Sequence, residues 1–258
     1  MTPRIVKLFL YAMAGWAPGG QRRCVLCNHK VWRFMPYRSG RRSVAPLMSV
    51  LDVVGSDVEN FECPRCGAHD RERHLLLYMR ASGLMEGLQE MSILHFAPEI
   101  RLSRLLRAAA PESYLPCDLF PRSPDVLCVD MQEMQFESGT FDLVMANHVL
   151  EHVDDVSAAL CEIFRVLKPG GFAILQTPFS PLLHNTWSDQ GIDSPEARLQ
   201  AYGQEDHVRL FGRDIFEILV STGFQSFVKA HAGCLGDIDV KKFGVNPEEP
   251  FFLFRRPV

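Results

Sequence analysis

Apolar and polar positions divide the chain into two textures. Before residue 90 the pattern is irregular. An apolar run, Leu8 to Ala14, is followed by two Cys-x-x-Cys pairs 35 residues apart. Asp70 then reads as the cap of a helix from about Arg71 to Ser82, with Leu75, Leu76 and Met79 inward and Gly83 as its stop. From Ser92 onward short apolar runs alternate with segments of helical period. Strands are expected at Ser92–Phe96, Ser113–Cys117, Val126–Cys128, Phe141–Ala146, Phe172–Thr177, Gln225–Ala230 and Phe251–Arg255. Helices are expected at Ile100–Ala109, Val156–Leu167 and Arg213–Ser221, with Lys168 to Gly171 as a turn. Alternation of this kind predicts an α/β domain built on a mostly parallel sheet with helices on both faces. The stretch 178–212 carries no regular pattern but holds Phe179, His184, Trp187, Asp189, Tyr202 and Gln204. Irregular segments that long in a compact domain are usually functional, so it is expected to be a substrate lid.

Charge changes this picture at the N-terminus. Residues 1–51 contain Arg4, Lys7, Arg22, Arg23, Lys30, Arg33, Arg38, Arg41 and Arg42, and no acidic residue, although the whole chain is net −4. Such a segment on an acidic body is either a solvated basic face or a contact for phosphate, on RNA or on an anionic membrane. The apolar run is too short to span a bilayer, so no transmembrane segment is expected. A short helix over residues 1–20, packed on the body or lying on a membrane surface, accounts for it. The expected division is therefore 1–20, a cysteine module with its linking helix at 21–90, and a main domain at 91–258.

Cys24, Cys27, Cys63 and Cys66 form two knuckles, each able to bring two thiolates to one tetrahedral ion. Asn28 and Gly67 follow them, residue types that tolerate the left-handed backbone such turns need. Structural Zn²⁺ is the expected occupant, and His29, His69 and His74 are read as packing or surface residues. Cys117, Cys128, Cys161 and Cys234 are scattered, as in a reduced compartment rather than a disulfide framework.

In a parallel sheet, ligands bind at the carboxyl ends of the strands. Asp118 ends the second strand, where one carboxylate can accept from both hydroxyls of a vicinal diol, and Asp130-Met131 follows the third. The sequence FDLVMANHVLEHV at 141–153, with RVLKPGG at 165–171, resembles the type 11 branch of class I S-adenosyl-L-methionine-dependent methyltransferases. The resemblance covers about residues 90–258. The cysteine pairs, RERH at 71–74, FAPE at 96–99 and GQEDHVR at 203–209 are similar to a bacterial subgroup of it. It implies a Rossmann-like seven-stranded sheet whose last strand is antiparallel, and S-adenosyl-L-methionine as cofactor. It implies cofactor contacts from His95, Ala97, Pro98, Glu99, Asp118, Leu119, Asp130, Met131, Asn147, His148 and Val149. The first loop departs from the family, reading HFAPE at 95–99 where a glycine-rich turn is usual. There Ala97 allows close approach, Pro98 removes an N–H, and Glu99 is a candidate for the methionine amino group.

Methyl transfer to a hydroxyl gains from a base, and histidine suits neutral pH. His207, flanked by Asp206 and Arg209, is the first candidate and His148 the next; His152 reads as helix-cap packing. The leading expectation is methylation of a small-molecule or glycan acceptor in the cytoplasm, peripheral at the inner face of the membrane. One alternative is an RNA methyltransferase docking through the cysteine module. Another is a non-catalytic binding protein on a degenerate methyltransferase fold.

Overall fold

The computed structural model describes residues 3–236 and 238–258. Residues 1 and 2 of the expected N-terminal helix, and the side chain of Arg4, lie outside this description. A twisted seven-stranded sheet organises the chain. Its strands are β3 (Ser92–Phe96), β4 (Ser113–Asp118), β5 (Leu127–Cys128), β6 (Phe141–Ala146), β7 (Leu167–Ile174), β8 (Gln225–Ser226) and β9 (Leu253–Arg255). They lie in the order β5-β4-β3-β6-β7-β9-β8. The first five pair in parallel, and β9 runs antiparallel to both β7 and β8. The order reverses between β3 and β6, the switch point where a crevice forms at strand ends.

Alternation along each strand feeds two apolar layers. On one face Leu94, Phe96, Val144, Ala146, Phe252 and Phe254 pack against α5 (Val156–Val166) and α7 (Ile215–Ser221). On the other, Ile93, Leu143, Met145, Phe251 and Leu253 meet α3 (Asp70–Ala81) and α4 (Ile100–Ala108). Leu75, Leu76 and Met79 of α3 are buried as expected. Since α3 covers one face of the sheet, residue 90 is a boundary in sequence texture but not in packing.

Several local expectations change. Asp70 is not the cap of α3 but its first residue, and the capping position belongs to His69, whose N–H donates to Glu72 Oε1 at 2.9 Å. The Lys168–Gly171 segment is not a separate turn. It stays within β7 as a bulge, because the register jumps from Phe141↔Leu167 to Leu143↔Phe172. Gly171 permits this, since a Cβ there would come within 2.9 Å of the Lys168 carbonyl oxygen. The stretch 178–212 is not irregular throughout. It holds α6 (Pro195–Tyr202), and bridges Phe179↔Phe211 and Trp187↔Leu210 close its base.

The N-terminal part comprises α1 (Pro3–Trp16), the β1 (Arg22–Arg23) and β2 (Lys30–Val31) hairpin, and α2 (Pro46–Val50). Two short helices, α8 (His231–Leu235) and α9 (Val240–Phe243), complete the chain. Helix α1 is attached through Tyr11, whose hydroxyl donates to Glu62 Oε2 at 2.9 Å, and through Ala14, whose carbonyl accepts from Trp32 N–H at 2.8 Å. Its Leu8, Phe9, Met13 and Trp16 stay exposed. Among the described residues no helix is long and apolar enough to cross a membrane.

One buried cation ties these parts together. Arg73, fully buried on α3, uses all its guanidinium donors on backbone carbonyls. It reaches Phe61 (3.2 Å) and Ala68 (2.9 Å) of the cysteine module, Phe243 (2.9 Å) and Gly244 (2.8 Å) at the end of α9, and Asn60. The Phe34 ring lies 3.8 Å from the guanidinium carbon.

Candidate active site

At the carboxyl end of β3 the chain turns through Ala97 with φ +45°, a left-handed conformation that is costly for a residue with a side chain. The Ala97 N–H donates to the Cys117 carbonyl at 2.8 Å, which holds the turn against β4. Glu99 then occupies the capping position of α4. Its carboxylate accepts from His95 Nε2 at 3.1 Å and from Asn147 Nδ2, so one acid spans the ends of β3 and β6. His95 Nδ1 meets the Tyr114 hydroxyl at 2.7 Å. Burial opposes the charge of Glu99, but the hydrogen bonds from His95 and Asn147 prevail and hold it below the ordinary carboxylate range. His95 itself has no exposed surface, which corrects its expected role as a direct contact. It orients Glu99 instead.

Asp118 ends β4 half-buried. Its Oδ1 accepts from the Phe120 N–H at 2.9 Å, and no other hydrogen bond reaches the carboxylate among the described residues. Leu119 beside it is exposed. Asp130 is arranged likewise, its Oδ1 accepting from the Gln132 N–H at 2.8 Å, and Met131 packs into the core behind it. Thus Asp118 and Asp130, at adjacent strand ends, each keep one carboxylate oxygen without a hydrogen bond among the described residues. Pro98 and Val149, on the loops after β3 and β6, are half-buried.

After β6 the chain enters a buried polar cluster. His148 has φ +57°, and its N–H donates to the Gln176 carbonyl at 2.7 Å. Its Nε2 donates to Glu249 Oε1 at 3.2 Å, while Nδ1 lies 3.4 Å from Glu151 Oε1. Burial and Arg71 oppose a charge on His148, but the two carboxylates prevail and raise its pKa. Glu249 also accepts from His74 Nδ1 at 3.1 Å, and His74 Nε2 meets His231 Nδ1 at 2.9 Å. Glu151 Oε2 accepts from Thr177 Oγ1 at 3.0 Å. Although burial opposes its charge, the neighbouring His148 and His207 rings hold Glu151 down to about 2.

His207 joins this cluster, but not with the partners expected for it. Its Nδ1 donates to the Tyr202 carbonyl at 3.0 Å and its Nε2 lies 3.9 Å from Glu151 Oε1. Burial lowers its pKa. Asp206 points instead to His152, whose Nδ1 is 3.5 Å from Asp206 Oδ2, so no Asp206–His207 dyad forms. Arg209 is also displaced from the expected chemistry. Its guanidinium donates to the carbonyls of Val153 (2.5 Å) and Asp154 (2.8 Å), clamping the loop after β6.

His148 and His207 line a cavity of 1620 Å³ whose other walls come from the cysteine module (Tyr37, Val54, Arg71) and from Pro178 and Tyr202. Asp118, Glu99 and Asp130 do not line it. Of the consecutive pair after β6, Asn147 is bonded to Glu99 and His148 lines the cavity.

The four cysteines converge, one sulfur from each lying within 4.8 Å of the rest, and Cys24 Sγ is 3.7 Å from Cys66 Sγ. A tetrahedron with metal–sulfur bonds of about 2.3 Å has edges of about 3.8 Å, so the donor set fits a thiophilic divalent ion. Asn28 (φ +59°) and Gly67 (φ +77°) take the left-handed turns expected of them.

Sequence reasoning did not assign roles to Glu151, Glu249, His231 or Tyr114, and it read His74 only as a packing or surface residue. Glu151 lay in view within the 141–153 motif. Glu249 is 101 residues from its partner His148, and no local signal marks it.

Residues 100–175 match the family model described as methyltransferase domain. Among curated proteins, the chain is 27% identical over 135 residues to a malonyl-[acyl-carrier protein] O-methyltransferase of Laribacter hongkongensis, covering 49% of this chain and 41% of that protein. It is 31% identical over 101 residues to an uncharacterized 37.1 kDa protein in transposon TN4556 of Streptomyces fradiae, covering 37% of this chain and 27% of that one. The chain thus spans less than half the length of these relatives. Of solved structures, an S-adenosylmethionine dependent methyltransferase from Mesorhizobium loti aligns with TM-score 0.47 and 14% identity, over 69% of this chain and 96% of that one. Burkholderia thailandensis 1,6-didemethyltoxoflavin-N1-methyltransferase aligns with TM-score 0.47 and 14% identity, over 70% and 79%. By the family match and the strands it contains, residues 100–175 of this chain are part of a methyltransferase domain.

Proposed function

We propose that the chain is an S-adenosyl-L-methionine-dependent methyltransferase acting on a hydroxyl of a small-molecule or sugar-type acceptor. One observation carries this reading. Asp118 and Asp130, at adjacent strand ends, each keep one carboxylate oxygen without a hydrogen bond among the described residues, and neither lines the cavity bordered by His148 and His207. Asp118 would hold the ribose diol and Asp130 the adenine side. Glu99 and Asn147, already linked, would receive the methionine end, beside an Ala97 turn without a bulky side chain. Bound there, the cofactor supplies a methyl group on a sulfonium, and the protein's contribution is alignment and exclusion of water. The cavity takes the acceptor, with His148 and His207 as the groups facing its hydroxyl. Calorimetric titration of the full chain with the cofactor should show one equivalent bound. Labelled methyl should then pass to small hydroxylated acceptors in a fractionated lysate. Absence of cofactor binding overturns the reading, and label confined to RNA reassigns the acceptor.

The cysteine site we assign to structural Zn²⁺, on the tetrahedral fit of its four sulfurs. The purified chain should carry one Zn²⁺ on Cys24, Cys27, Cys63 and Cys66. Cys63→Ser should lose the ion and lower the melting temperature by roughly 10 °C or more, since binding energy of such sites is folding energy. Full zinc retention in that variant, by elemental analysis, would remove the assignment.

A further inference from the structure

We infer that Glu151, His152 and His207 form a second metal site, for a divalent transition-metal ion, on the wall of the acceptor cavity. Each of the three offers one ligand atom, and these atoms lie within 4.8 Å of one another. The inference rests on how their remaining polar atoms are used.

His207 Nδ1 faces the Tyr202 carbonyl at 3.0 Å, and a carbonyl can only accept, so this nitrogen bears the proton. The neutral ring then carries its lone pair on Nε2. That atom is buried and has no hydrogen-bond partner among the described residues. It looks across 3.9 Å at Glu151 Oε1, which is also buried and also without a partner. His148 Nδ1, 3.4 Å from the same oxygen, is not aligned to satisfy it. Two acceptors therefore face each other with no proton between them, and a separation of 3.9 Å is too long for a direct hydrogen bond. A cation bridging them removes the conflict. His152 is held in a similar way, its Nδ1 donating to the Asp206 carbonyl at 3.2 Å, which leaves Nε2 as the ring nitrogen that can face an ion.

Fixing one ring nitrogen by a backbone carbonyl is the second-shell pattern that orients metal-binding histidines. The carboxylate has its counterpart, with Glu151 Oε2 held by Thr177 Oγ1 at 3.0 Å. Two imidazoles and one carboxylate suit a first-row divalent ion and leave coordination positions open. Of the three residues His207 lines the cavity, and the open side of the ion is assigned to that direction. An ion there would hold an acceptor oxygen directly, which favours a hydroxyl or a vicinal diol over nitrogen or carbon acceptors. This assignment deepens the methyltransferase reading and rests on it for the role of the ion, but not for its binding.

Co²⁺ titration of the full chain, with the cysteine site kept filled by Zn²⁺, tests it. The expected result is one equivalent of Co²⁺ with d–d absorption and no sulfur-to-cobalt charge transfer. Glu151→Gln and His152→Ala should each weaken this binding by about tenfold or more. His152 is one-third exposed, so its variant is expected to fold even if the Glu151 variant does not. No uptake, uptake only with a thiolate band, or unchanged affinity in a folded His152→Ala chain overturns the site. Cofactor calorimetry on the same sample separates the two readings. Cofactor binding without Co²⁺ uptake removes the metal site alone, and Co²⁺ uptake without cofactor binding removes the methyltransferase assignment alone.

Discussion

Arg73→Lys is expected to destabilise the chain by about 3–5 kcal/mol. Arg73 is fully buried, and its planar fork reaches five carbonyls on two separate stretches of chain, 60–68 and 243–244. A lysine carries three donors on a single nitrogen and cannot address acceptors arranged around a guanidinium plane. At least two carbonyls would lose their partner away from water, at about 1–3 kcal/mol each. The stacking on Phe34 would go as well. Urea denaturation at neutral pH measures the effect. A loss below about 1 kcal/mol would mean that water replaces the guanidinium, contrary to the burial observed. Since the residues joined by Arg73 include the carbonyls of Phe61 and Ala68, flanking Cys63 and Cys66, the variant should also release Zn²⁺ more readily.

Asp118→Ala is expected to raise the dissociation constant for S-adenosyl-L-methionine by roughly 30- to 100-fold while leaving the fold intact. A carboxylate accepting from both ribose hydroxyls makes two charge-assisted bonds, together worth about 2–3 kcal/mol in such a half-exposed position. The structural cost is small, because among the described residues the one hydrogen bond lost is the turn contact to the Phe120 N–H. Calorimetry of cofactor binding checks it, and an unchanged affinity would take Asp118 out of the site. Glu99→Gln should behave differently. Both Glu99 oxygens are already engaged by His95 and Asn147, so the substitution disturbs an internal network as well as the proposed cofactor contact, and stability should fall with affinity.

The elements that strand and helix periodicity marked were the elements found, and two agree to the residue. Ser92–Phe96 and Phe141–Ala146 are central parallel strands, apolar on both faces, and a run of that kind has few alternatives. Edge elements were less legible. Gln225–Ala230 shrank to Gln225–Ser226, with Lys229 rejoining β9 only through an isolated bridge to Phe251. An exposed edge has too little burial to impose a pattern. The cysteine knuckles were legible for a different reason, because their geometry is local. Two sulfurs three residues apart and a left-handed residue after each pair define the turn wherever the chain goes next.

Around His207, adjacency in sequence does not carry over to adjacency in space. Asp206, His207 and Arg209 look like one polar unit on the page. In the fold, backbone directions send Asp206 to His152, His207 to Glu151, and Arg209 to the carbonyls of Val153 and Asp154. The positions of the strands, the burial of the two sheet faces and the turn within each cysteine pair follow from short-range pattern, since each depends on periods of two to four residues or on one turn. The pairing of His148 with Glu249, the opposition of His207 to Glu151 and the closing of a cavity by the cysteine module depend on contacts across tens to a hundred residues. Chain length between partners carries no mark of these, so only packing of the whole molecule settled them.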